Sequence, residues 1–146
     1  MINREINIMI RANHPTIIHF IGYAITKTND IAIIMQYAEK GSLGDAIRLG
    51  STNATPDGYS ESRQIILVGI ARAMQFLHNR NIAHRDIKPD NILLNTNYQP
   101  LITDFGLSKI TEGSSIQSKY VGTSKYMAPE CQTLRYDPKK ADIYAF

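Results

Sequence analysis

The string His84-Arg85-Asp86-Ile87-Lys88-Pro89-Asp90-Asn91 is followed by Asp104-Phe105-Gly106, whose first residue comes thirteen positions after Asn91. Together they set carboxylates, a carboxamide and a lysine on two neighbouring turns. Pro89 fixes its own φ and biases Lys88 towards an extended conformation, so the first string reads as a loop. Gly106 allows a sharp turn after Asp104. Between the two strings, residues 91–95 and 100–103 read as a small hairpin around Thr96-Asn97.

A third string, Ala128-Pro129-Glu130, follows downstream. With all three in this order the chain resembles the eukaryotic protein kinase family, whose signature has Leu where Ile87 stands. The resemblance implies an α+β, bilobal protein-kinase-like fold, ATP and Mg2+ as cofactors, and a protein substrate. The residue types suit that chemistry, because phosphoryl transfer needs in-line positioning and neutralisation of phosphate charge more than covalent help. Asp86 would accept or orient the proton of the attacking hydroxyl, and Lys88 would offer a compact cation to the γ-phosphate. Asn91 and Asp104 supply the hard oxygen ligands that magnesium prefers.

Composition narrows the alternatives. The 146 residues allow about one domain with a real core. The net charge of +3 is small and the basic residues are scattered along the sequence, which argues against nucleic-acid binding. The single cysteine, Cys131, excludes an internal disulfide and fits a reducing compartment. The longest apolar run, residues 65–71, is too short to span a bilayer, and no signal peptide is evident. A cytoplasmic, intracellular protein is the expectation.

Along the chain, Ile2, Ile6, Met9 and Ile10 recur at helical spacing until Pro15 stops the helix soon after Asn13. Two apolar runs, 17–25 and 31–37, flank Thr28-Asn29-Asp30 and read as a hairpin. Gly41-Ser42-Leu43 opens a short helix, and residues 50–59 form a loop. Ser60 is the expected N-cap of a long helix to about Asn79 that buries Ile66, Ile70, Ala73 and Leu77. Residues 140–146 look like the start of another helix.

In the family's terms, residues 1–35 would be the remainder of the small lobe, 36–41 the hinge, and 42–146 a large-lobe portion with catalytic and activation loops. Glu5 resembles the regulatory-helix glutamate that pairs with the small lobe's catalytic lysine. Met9, Phe20, His84 and Phe105 match the stack that couples that helix to the catalytic loop. By the same resemblance Met35 is the gatekeeper behind the adenine, and the backbone of Gln36 and Ala38 would meet the base edge. Leu93 would lie beneath the ring, and Ser42 would meet the ribose. Asp142 resembles the buried aspartate that holds the catalytic loop's backbone.

Lys88, two residues after Asp86, resembles the Ser/Thr-kinase form of the loop. The stretch Gly122-Thr123-Ser124 resembles that form too, with Thr123 expected to bridge Asp86 and Lys88. The Gly-Ser-Leu at 41–43 and residues 70–78 resemble the tyrosine-kinase-like branch. Residues 107–121 should be the activation loop, where a phosphate on Ser118 could pair with Arg85 and order the segment.

No Gly-x-Gly-x-x-Gly string and no Val-Ala-Ile-Lys-like string occurs in the chain. The expectation is therefore a kinase domain truncated at both ends, with little activity of its own because phosphate positioning dominates this reaction. A non-catalytic, kinase-derived interaction module is the alternative.

Overall fold

The computed structural model describes residues 2–51, 59–111, 121–133 and 135–146. The architecture is mixed α+β, as expected. Helix α1 (Ile2–Arg11) is followed by the antiparallel hairpin β1 (Phe20–Ile25) and β2 (Ile31–Met35). Helices α2 (Leu43–Ser51) and α3 (Tyr59–Asn79) come next. Strand β3 (Ile82–Ala83) leads into the first polar string, and β4 (Ile92–Leu94) pairs antiparallel with β5 (Pro100–Ile102). Strand β6 (Lys109–Ile110) returns to pair with β3, and α4 (Pro138–Ala145) closes the described chain.

The amphipathic reading of α3 holds: Ile66, Ile70, Ala73 and Leu77 are all buried. Burying each of the three large ones, Ile66, Ile70 and Leu77, stabilises the fold by roughly 1.5–3 kcal/mol. Gly69, on the same helix, lets α3 lie close to β5, since a Cβ there would stand 2.4 Å from the Pro100 ring. Helix α3 already begins at Tyr59, so Ser60 sits inside its first turn instead of preceding it as the expected N-cap, a correction to the sequence reading. Most of the loop expected at 50–59 lies outside the described residues.

Three other features differ from the sequence reading. Helix α1 buries Ile8 and Met9 and leaves Ile10 exposed, so its core face is rotated from the periodicity first read. Helix α4 begins at Pro138, because Asp137 accepts the Lys139 N–H as an N-cap and Pro suits the first helical position. The residues after Lys88 are not irregular throughout, as Pro89–Asn91 form one 3-10 turn entered from an extended Lys88.

What positions the site is a set of backbone ties between distant segments. Ile18 N–H donates to Ile102 O at 2.9 Å, and Ile102 N–H to Thr16 O at 3.0 Å, which fastens the segment after α1 to β5. Leu94 N–H donates to Gly41 O and Lys40 N–H to Leu94 O, fastening the link between β2 and α2 to β4. The β3–β6 pair, which no periodicity announces over two residues, carries the polar string at 84–91 on one side and the residues after Gly106 on the other.

Candidate active site

The first polar string folds around Asp86, which is buried. Its Oδ1 accepts the Thr123 N–H at 2.9 Å and the Thr123 hydroxyl at 2.8 Å. Its Oδ2 accepts the Asn91 side-chain N–H at 2.9 Å and lies 2.8 Å from Lys88 Nζ. Lys88 also donates to the Thr123 hydroxyl at 2.7 Å, so Thr123 does bridge the two. Burial pushes the Asp86 carboxyl up, but the hydrogen bonds from Lys88, Thr123 and Asn91 outweigh it and hold the group below the ordinary carboxylate value.

Asn91 donates through Nδ2 both to Asp86 Oδ2 and to Asp86 O. Both partners are acceptors, so the amide orientation is fixed and its carbonyl oxygen points away from Asp86. Thr103 N–H donates to Asn91 O at 3.0 Å, which brings the residue before Asp104 against the 3-10 turn. Asp104 is exposed and has φ 62°. The left-handed residue at this turn is therefore Asp104 rather than Gly106, a correction to the sequence reading. Gly106 N–H only leans towards Asp104 Oδ1, at 3.4 Å.

Two hard oxygens, the Asn91 carbonyl and the Asp104 carboxylate, thus belong to adjoining segments. That donor set suits magnesium, which takes few protein ligands and completes its shell with water and phosphate.

The loop's backbone is held from behind by Asp142, which is 2% exposed. It accepts the N–H groups of His84 at 2.8 Å and Arg85 at 2.7 Å, and His78 Nε2 stands 2.9 Å from Oδ2. His84 is fully buried with its ring 5.1 Å from that of Phe105. Its Nε2 bonds Thr103 O and its Nδ1 accepts Asp86 N–H, which defines a neutral tautomer. Burial lowers its pKa, more than the surrounding carboxylates raise it. Met9 and Phe105 are buried and Phe20 packs on the same core.

The remaining expected residues fall around this centre. Glu5 comes close to Asp104 across Gly106, and no cation pairs with it among the described residues. Burial, then the Asp104 charge, raises its pKa. Ser42 pairs with Leu93 of β4 through an isolated antiparallel β-bridge. Its hydroxyl, however, caps α2, accepting Asp45 N–H and donating to Asp45 Oδ2 at 2.7 Å.

Met35 ends β2 and is 39% exposed, while Ala38 is buried. Gln36 N–H is already taken by His19 O, leaving its carbonyl. Ser118 lies outside the described residues.

Four residues here were given no role of their own from sequence: Arg4, Ser108, Lys109 and Gly122. Arg4 donates to Ser108 O, and Lys109 stands near both Arg4 and Arg85. Burial first, then those two charges, lowers the Lys109 pKa. Burial likewise lowers that of Arg85, whose Nε donates to Leu107 O at 2.6 Å. Gly122, at φ 122°, passes so close to Arg85 O that a Cβ would stand 2.6 Å from it. Ser108 is buried and donates to His84 O. Arg4, Ser108 and Lys109 belong to no recognisable string, and it is the β3–β6 pairing that sets Lys109 opposite Ala83, the residue before His84.

Residues 1–146 match the family described as "Protein kinase domain". Among similar proteins, the serine/threonine-protein kinase CTR1 of Arabidopsis thaliana is 38% identical, over 98% of this chain and 17% of its own length. The serine/threonine-protein kinase CLA4 of Saccharomyces cerevisiae is 34% identical, over 99% of this chain and 18% of its length. A probable LRR receptor-like serine/threonine-protein kinase of Arabidopsis thaliana is 36% identical, over 97% of this chain and 14% of its length. The chain therefore spans less than a fifth of each of these relatives. A family match over the whole chain, on a fold that gathers Asp86, Lys88, Asn91 and Thr123 around one carboxylate, places this chain in the protein kinase family.

Proposed function

We propose that this chain carries the phosphoryl-transfer centre of an ATP-dependent serine/threonine protein kinase, a transferase acting on Ser/Thr hydroxyls of a protein substrate. The observation that carries the reading is the closed set of contacts among Asp86, Lys88, Asn91 and Thr123. A surface turn would not bury a carboxylate and then satisfy both of its oxygens twice.

Asp86 is held ionised, so it receives the hydroxyl hydrogen of the acceptor as a hydrogen bond and fixes the oxygen's direction of approach. The proton moves to it only as the new phosphorus–oxygen bond forms. Lys88 neutralises charge on the transferring phosphoryl group. Thr123 bonds both Asp86 and Lys88 and so keeps that pair in register. Asn91 and Asp104 would hold Mg2+, which neutralises phosphate charge when bound. Positioning and charge neutralisation are the two contributions this reaction needs.

The adenine end would lie along residues 36–41, with Met35 behind the base, the Gln36 carbonyl and the Ala38 backbone at its edge, and Leu93 beneath. Ser42 would meet the ribose only by giving up part of its cap on Asp45. Glu5 and Phe105 would report the position of α1 to the centre. A phosphate on Ser118 would be held by Arg85 with Arg4 and Lys109 beside it, and so order the segment. Residues 1–35 and 42–146 then belong to the two lobes.

No helix among the described residues is long and apolar enough to cross a membrane, and ATP dependence suits a cytoplasmic location. The test is ATP-dependent labelling of a Ser/Thr-containing protein by the protein that carries this chain. Labelling that Asp86→Asn abolishes supports the reading. Absence of labelling, or labelling untouched by Asp86→Asn, overturns it in favour of a non-catalytic interaction module.

A further inference from the structure

Basic residues that are scattered in the sequence meet on one face away from the transfer centre. Arg11 is the last residue of α1, and Arg80 follows directly on α3. These two line one open cleft with Ile82 at its base. Arg72, Phe76 and Arg80 recur at four-residue intervals, which places them along one side of α3 and its end. The Arg80 guanidinium lies 3.7 Å from the centre of the Phe76 ring, and the His14 ring packs on the same ring at 4.8 Å.

His14 Nδ1 accepts the Thr16 N–H at 3.2 Å, which leaves Nε2 as the ring's N–H donor. Burial, then the charges of Arg80 and Arg72, lowers the His14 pKa, so the ring is held neutral beside those cations. No carboxylate among the described residues pairs with Arg11, Arg72 or Arg80.

A cation at a helix C-terminus is ordinarily explained by the helix dipole, worth about 0.3–1 kcal/mol. That explains Arg11 and Arg80 one at a time. It does not explain why two helices end at one cleft, each with an arginine, beside a stacked aromatic and a neutral histidine donor. Arginine presents a planar fork that matches phosphate oxygens, and the Phe76 ring restrains the Arg80 plane before any ligand arrives. The cleft is lined by Arg11 and Arg80 with Ile82, so it offers two guanidinium forks to one anionic group, which suits a single phosphate on a chain.

We propose that the cleft between the ends of α1 and α3 binds a phosphorylated segment of a protein, its phosphate held by Arg11 and Arg80. This is separate from the transfer centre and from the Arg4, Arg85 and Lys109 group, and does not depend on either.

The probe is a short Gly/Ser peptide carrying one phosphoserine, compared with its unphosphorylated form, inorganic phosphate and phosphatidylserine vesicles. Binding of each to the chain is measured at low and moderate salt. The expected result is preference for the phosphopeptide, reduced by salt. Arg11→Gln and Arg80→Gln should each weaken it by roughly tenfold, the size of one charge-assisted hydrogen bond. Arg11→Gln alters an exposed side chain, so a folding defect in the Arg80 variant leaves the test intact.

The proposal is overturned if the two peptides bind alike, or if phosphopeptide binding survives both substitutions. Loss on Lys109→Gln alone would assign the ligand to the other basic group and overturn it as well. Arginine-dependent binding that favours vesicles, or inorganic phosphate bound as tightly as the phosphopeptide, also counts against it.

Discussion

Asp142 accepts the backbone N–H of Arg85 at 2.7 Å, and Arg85 stands at φ 70°. A non-glycine residue in the left-handed region costs of order 1–3 kcal/mol and persists only where its surroundings hold it. The buried carboxylate holds it here, with the His84 N–H on its other oxygen. Asp142→Asn replaces one acceptor by a donor and leaves a buried N–H unsatisfied, a loss of about 1–3 kcal/mol. A lower melting temperature is expected, with Asp86 displaced because it follows Arg85 directly. A variant that melts with the parent would show that the two contacts do not hold the loop.

The two aspartates of the centre should separate by assay. Asp86 contacts Lys88, Asn91 and Thr123. Under the proposed mechanism it faces the acceptor hydroxyl, so Asp86→Asn should lower turnover roughly 100-fold or more. Nucleotide affinity should change little, because the loss falls on the transition state. Asp104→Ala should instead remove magnesium-dependent nucleotide binding. Titrating ATP against turnover for both variants checks this. Equal loss of ATP affinity in the two would refute the division of roles.

The elements that were legible from sequence are those with a local signal. The face of α3 follows from 3.6-residue periodicity, and the β4–β5 hairpin from turn residues at Thr96-Asn97. Lys88 is extended because Pro89 requires it. The Thr123 bridge and the Asp142 anchor were legible only through family resemblance, since their partners lie 37 and 57 residues away. The left-handed Asp104 was misassigned to Gly106 because glycine is the usual tenant of that region, whereas aspartate tolerates it too. The face with Arg11 and Arg80 was not legible at all. The scatter of the basic residues in sequence argued against nucleic-acid binding, and only the fold, which sets Arg11 and Arg80 on one cleft with Ile82, brings them together.

Acid should destabilise the fold from near neutrality downwards, and His84 supplies much of the reason. Its folded pKa lies below the ordinary histidine value, so the unfolded chain binds the proton first as pH falls through about 6.5. Stability then rises with pH across that interval and is lost below it. His14 is lowered as well and adds to the slope. Asp86, depressed below the ordinary carboxylate value, adds a second loss only near pH 4 and under. Melting temperatures between pH 7.5 and 5.5 should therefore fall, and His84→Phe should flatten part of that fall. The variant should be less stable throughout, because Thr103 O and Asp86 N–H lose their partner. An unchanged slope in His84→Phe would exclude this histidine as its source.

Gly122 has no tolerance for a side chain, and its replacement should reach the centre through Thr123. At φ 122° an L-residue is strained whatever space surrounds it, and here a Cβ would also stand 2.6 Å from Arg85 O, a backbone atom that cannot swing aside. Gly122→Ala should cost about 1–3 kcal/mol. Relief can come only by moving Thr123, which gives both its N–H and its hydroxyl to Asp86 Oδ1. Lys88 would then lose its bridge, and Asp86 would lose two of the hydrogen bonds that hold its carboxyl below the ordinary value. The expected outcome is a lower melting temperature together with reduced turnover and unaltered ATP affinity. Ser124→Ala, one residue beyond Thr123 and exposed, is the control and should leave all three unchanged. Wild-type turnover in Gly122→Ala would show that the Asp86–Thr123 contact is not needed for transfer.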